Sequence, residues 1–432
     1  MKKSFKINLK LEKALGYYLP NRFTLNAGDD LVTITPEKFT VFIHEYGHLI
    51  QNLFTISGWY SFAIETTKLK IIINTAQEIK KYDIPLKKSL KNDELRNKLY
   101  KTYIFRYYLM NTQGLTDKDK IINCSRGFTL KTKDGDFFNF TKDNYRRVVY
   151  SDFSVNGKIR EIEINYFILI ESMSYIIEKH YNLADIPSPD YPYNIVTLLF
   201  DDTVLENQTD KQIIILYLSL LTVAPEISFY ELFLSVINNN FHTITSIHDF
   251  TKKLFNSLPF NFDEKLKNGF DLIDNYLLEY YNILNKYELS DNYIAWLKDS
   301  FKNIRNNIQN DVLYFIKPII YKNASNLIID QLDFDYFLMI DDDNSYSTIK
   351  NKSDSHIHGM IFHTCLFHAI DFVIDYKDYP RRCPILKNCK DKEKNLHCYC
   401  RPYKHSIKKP GETLCEYGVA AHALFFHEVD VV

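Results

Sequence analysis

The chain has 432 residues, of which 46% are hydrophobic and 25% charged, with a formal net charge of −1. That balance suits a globular chain with a sizeable core, and it offers neither the cationic surplus of a nucleic-acid binder nor the acidic surplus of a solvating tail. The longest apolar stretch, Ile213 to Ala224, falls short of the roughly 18 residues that span a bilayer. It ends at Pro225 and reads as a buried helix. Residues 1–13 are basic without the apolar core of an export signal, so a cytoplasmic location is expected, with no nucleic-acid and no membrane partner. The 32 Tyr and 31 Phe against 12 Gly leave large flat side chains to fill a core or line a groove.

In chain order, an extended stretch at Leu31–Ile34 runs into Thr35-Pro36-Glu37, where an N-cap residue, a proline and an acid together start a helix. Phe39, Phe42, Ile43, Tyr46, Leu49, Ile50 and Leu53 then recur at helical spacing, which predicts a helix over 36–55. Helices are also predicted at 62–82 and 93–111. Between 126 and 164 the period changes. Asp134-Gly135, between Phe128–Thr132 and Phe137–Phe140, and Asn156-Gly157, between Val148–Tyr150 and Lys158–Ile164, are hairpin signals, because Gly accepts the positive φ of a tight turn. Asn165 opens a further helix over 166–181, and helices follow at 205–223, 227–238, 263–287 and 292–317. The polar run 341–355 is a candidate boundary between a region spanning 1–340 and a Cys/His-rich C-terminal region, 356–432. The fold class expected is α+β, predominantly α-helical, with a small sheet of β-hairpins.

The stretch Phe42-Ile-His-Glu-Tyr-Gly-His-Leu-Ile-Gln contains the HExxH pattern. A spacing of four puts His44 and His48 on one helical face, where both imidazoles can chelate one Zn2+ ion. Glu45 stands beside them, placed as the catalytic base that takes a proton from a zinc-activated water. A third protein ligand is required, and Gln51 and Phe54 stand where a metzincin would have Gly and His. Two glutamates remain. Glu171 is favoured, because an acid among Ile168, Leu169, Ile170 and Met173 is out of place unless something pairs it. Glu65 is the alternative, with Thr66, Thr67 and Lys68 after it suggesting an exposed turn. Glu178, two turns beyond Glu171, is either a partner for a ligating histidine or a solvated acid. The donor to a developing oxyanion is not assignable among so many tyrosines; Tyr175 reads as a core side chain and His180 as a surface one.

The segments FIHEYGHLIQNL and LIESMSYIIE resemble the active-site helix and the glutamate helix of gluzincin-type zinc metallopeptidases, with Ser174 at the small position three residues after Glu171. The resemblance covers about 25 residues. It implies a zincin-like catalytic domain, peptide-bond hydrolysis, a peptide or protein substrate, and a sheet edge on which extended peptide is held.

Cys383, Cys389, Cys398, Cys400 and Cys415 crowd five of the seven thiols into 33 residues. Thiolates at that density suit a second, structural zinc site, with Cys383, Cys389, Cys398 and Cys415 as ligands and Cys400 as an alternate; reduced buried cysteines are the plainer reading. Three functions therefore compete: a zinc metallopeptidase restrained by a partner, a cleft or a narrow substrate; a non-peptide amide hydrolase on the same scaffold; and a catalytically silent interaction protein with structural zinc.

Overall fold

The computed structural model describes residues 17–19, 24–26, 36–74, 113–134, 145–181, 190–201, 203–239, 241, 244–285, 291–321, 338–340, 346–347, 359, 362–363 and 366–367. Strands β1 (Tyr17–Leu19) and β2 (Thr24–Asn26) lead to helices α1 (Pro36–Leu53) and α2 (Ile56–Asn74), which meet at a sharp corner. Thr55 makes the corner: its Oγ1 accepts from the Gly58 N–H at 3.0 Å and caps α2, as an N-cap threonine does. The predicted helix at 62–82 thus begins six residues earlier.

Strands β3 (Ile121–Asp134), β4 (Tyr145–Val155) and β5 (Lys158–Glu163) form an antiparallel sheet in the order β3-β4-β5. The Asn156-Gly157 turn is as expected: both residues have positive φ, 50° and 76°, and Val155 pairs with Lys158 across them. The first hairpin differs. Asp134 pairs with Tyr145, so the partner strand is 145–155 rather than 137–140, and the Gly135 turn lies outside the described residues.

Helix α3 (Tyr166–His180) starts where Asn165 Oδ1 accepts from the Ile168 N–H at 3.0 Å. A single irregular turn, Asp190–Asn194, precedes α4 (Ile195–Phe200), α5 (Thr209–Leu220), α6 (Pro225–Asn238) and α7 (Ile247–Ser257). Then come α8 (Phe262–Asn285), α9 (Asp291–Asn310) and α10 (Lys317–Ile320). Strands β6 (Leu338–Ile340) and β7 (Tyr346–Ser347) complete a second small sheet, β1-β2-β6-β7, in which β2 and β6 run parallel. The chain is mainly helical with small sheets, an α+β architecture. No helix among the described residues is long and apolar enough to cross a membrane.

Helix α3 is central, packing on α1, α5 and the 190–194 turn. Ile213–Leu218 of α5 are completely buried, which explains a helix that is apolar all round. Phe362, His363, Leu366 and Phe367 lie in the same core as α2 and α9, with His363 against Phe62 and Trp296. The predicted helix at 93–111 and all five cysteines from Cys383 to Cys415 fall outside the described residues.

Candidate metal centre

Glycine at position 47 lets α1 and α3 approach closely enough for their polar groups to meet. A Cβ there would lie 2.6 Å from Ser174 Oγ and 3.2 Å from its Cα, so the pair Gly47 and Ser174 sets the helix separation. Across this contact Glu171 reaches both histidines. Its Oε2 lies 3.6 Å from His44 Nε2 and 3.5 Å from His48 Nε2, and the two Nε2 atoms are 3.2 Å apart. These three side chains are the group of potential metal ligands among the described residues, and Glu65 is not part of it. Glu65 is buried on α2, not on the exposed turn its neighbours suggested, and Thr66 is buried with it.

The outer nitrogens fix the tautomers. Glu178 is buried, and its carboxylate accepts from His44 Nδ1–H, which makes it the histidine partner rather than the solvated acid. Gln51 Nε2 donates to the Ile170 carbonyl at 2.8 Å and to Ser174 Oγ at 3.2 Å, so its Oε1 faces His48 Nδ1 at 2.9 Å and must accept from it. Each ring spends its N–H outward. Two Nε2 lone pairs and a carboxylate oxygen therefore point at one spot, an arrangement that repels itself unless a cation or a proton sits there. The three side chains keep between 13% and 16% of their surface exposed, so the centre is largely covered but not sealed from solvent.

Protons and a metal ion compete for that spot. Burial works against charge on His44, but Glu171 and Glu178 outweigh it and push its pKa up to about 10. His48 is also raised, burial being overcome by Glu171. Burial likewise disfavours the Glu171 anion, yet the two imidazoles prevail and hold it below the usual carboxylate range.

Glu45 follows His44 on α1, partly exposed, and acts electrostatically on His48 and on Tyr193. Sequence reasoning missed Tyr193 and the role of Gln51. Tyr193, in the 190–194 turn, sets its ring 5.7 Å from that of His44, tilted 65°. Its ionisation is opposed by burial and then by Glu171, Glu45 and Glu178. Tyr175 is a buried side chain under Lys179, as expected. His180 is not on the surface: it is buried, with Nε2 donating to the Ile320 carbonyl at 3.1 Å and Nδ1 accepting from Thr209 Oγ1 at 2.8 Å. Lys179, not His180, takes the outward face of that turn.

No family model, no curated protein and no solved structure matches the chain.

Proposed function

We propose that the chain is a zinc-dependent hydrolase cleaving peptide bonds, with His44, His48 and Glu171 holding the ion and Glu45 as general base. The observation that carries this reading is the triangle of inward-facing ligand atoms, with edges of 3.2, 3.5 and 3.6 Å. Bonds of about 2.0–2.1 Å from a tetrahedral zinc to three ligands place those ligands roughly 3.3–3.4 Å apart. Two imidazoles and one carboxylate are also a donor set that zinc accepts, with a fourth corner left for water or substrate. Bound there, zinc supplies a Lewis acid that lowers the pKa of water toward neutrality.

The chain's own residues do the rest. Glu178 and Gln51 hold the two rings in the tautomers that turn Nε2 inward. Glu45, next in sequence to one ligand, takes a proton from the attacking water and returns it to the departing amine. A zincin-like catalytic domain is the scaffold this implies, with a peptide or protein as substrate. A partly exposed carboxylate next in sequence to one ligand of a three-ligand centre favours catalysis over a purely structural ion, which would take a closed four-ligand shell.

Glu45→Gln tests the reading. The variant should keep the zinc content of the parent, measured by metal analysis, and lose about 100- to 10,000-fold in kcat on a quenched fluorescent peptide library. Loss of zinc from the variant would make Glu45 structural. A parent chain no faster than the variant would remove the hydrolase.

A further inference from the structure

A hydrolase of this kind needs a hydrogen-bond donor aimed at the carbonyl oxygen as it becomes an oxyanion. Three tyrosines on the neighbouring elements are buried among other side chains. Tyr46 is buried on α1 with its ring stacked on Phe42. Tyr191 is buried against Phe167. Tyr175 is buried with the Lys179 ammonium 4.5 Å from its ring centre. Tyr193 differs in being partly exposed and in setting its ring against that of His44.

The backbone around Tyr193 is tied on both sides. Asp190 Oδ2 accepts from the Ile121 N–H at 2.9 Å, which fixes the turn to the edge of β3. The Pro192 carbonyl accepts from Ser172 Oγ at 3.1 Å, one residue from Glu171, and Asn194 Oδ1 accepts from Lys179 Nζ at 3.4 Å. A partly exposed tyrosine beside the ligand cluster, on a turn anchored in this way, has the placement a preorganised donor needs.

We propose that Tyr193 is the catalytic residue that donates its hydroxyl hydrogen bond to the substrate oxyanion. The inference rests on the hydrolase reading. In the step it serves, water oxygen bonds to the carbonyl carbon, the water proton passes to Glu45, and the carbonyl oxygen takes the negative charge opposite the Tyr193 hydroxyl. The C–N bond then breaks, the oxygen returns to a carbonyl, and the proton moves from Glu45 to the amine nitrogen. The phenol lends a hydrogen bond and keeps its proton throughout.

The test compares four zinc-loaded full-length chains, the parent, Glu45→Gln, Tyr193→Phe and Tyr175→Phe, on a quenched fluorescent peptide library. Zinc affinity is read in parallel by competition with a chromogenic chelator. Tyr193→Phe should lose about 100- to 1,000-fold in kcat, with KM within about threefold of the parent and zinc affinity unchanged. Tyr175→Phe should stay within about threefold of the parent in both. A Tyr193→Phe chain that turns over within about tenfold of the parent overturns the assignment and leaves the hydrolase standing. So does a chain that loses zinc, because the residue would then be structural, and so does a large kcat loss in Tyr175→Phe instead. A parent no faster than Glu45→Gln overturns both.

Discussion

His44 and His48 on α1, partly exposed, and His180 and His363, both buried, use their nitrogens in opposite ways. The ring of His180 is spent on a threonine hydroxyl and a main-chain carbonyl. The ring of His363 meets the Tyr293 hydroxyl at 2.9 Å inside a wall of aromatic side chains. These two pin the core. In the α1 pair the outer nitrogens are met by Glu178 and Gln51, and the inner ones face each other and Glu171. What marks the α1 pair is the convergence of its inner nitrogens, with Glu171, on one spot.

The partition is broken most severely at the ligands. Glu171→Ala or His48→Ala should cost zinc affinity well beyond the roughly 100-fold that loss of a supporting partner brings. His180→Ala should leave zinc affinity unchanged and instead lower stability by about 1–3 kcal/mol, because Thr209 and the Ile320 carbonyl lose a buried partner. Chelator competition and denaturant unfolding separate the two effects. A His180→Ala chain that lost zinc while still folded would end the distinction.

A smaller effect separates the two candidate ligand rings from each other. His44 is backed by a carboxylate, His48 by a neutral amide. The charge makes the first imidazole the more basic donor, so Glu178→Ala should lose about 10- to 100-fold in zinc affinity, and Gln51→Ala should fall at or below the low end of that range. Equal losses in the two variants would mean that charge is not what Glu178 contributes.

Much of this centre was legible in the sequence, for a definite reason. His44, Glu45 and His48 lie within one turn of helix, and Glu171 and Glu178 stand out as acids in an apolar helix; local spacing carries that information. The Asn156-Gly157 turn and the Asn165 cap are local too. What was missed depends on segments far apart in the chain. Gln51 was read only for what it rules out, while its use comes from Ile170 and Ser174, more than a hundred residues away. Tyr193 lies in an irregular turn with no periodicity, and only packing brings it to His44. The polar neighbours of Glu65 suggest an exposed turn and His180 reads as a surface residue, although the helix face that buries each is set by packing against other helices. Helix α7 is different, since Ser246 as cap with Ile247, Phe250 and Leu254 on one face was a readable signal that went unused.

The mildest test sets the pH response of the ligand cluster against the rest of the core. In the metal-free chain His44 titrates near 10, well above its ordinary 6.5, so its contribution to stability is complete below pH 6.5 and is lost as pH rises toward 10. Glu171 is shifted downward, so its contribution is present above its ordinary 4.5 and is lost as pH falls through the lowered value. The two shifts describe one interaction from its two sides and are not added. Both leave the metal-free chain best stabilised by this cluster between 4.5 and 6.5. Zinc bound there would have to displace the same protons, so its affinity should climb with pH where the proton's hold weakens. Melting scans from about pH 6 to about pH 9 should show the metal-free midpoint falling by on the order of a few °C, while the increment conferred by zinc grows. His48→Ala should flatten both slopes. Parallel slopes in metal-free and zinc-loaded protein would show that proton and ion do not share one place.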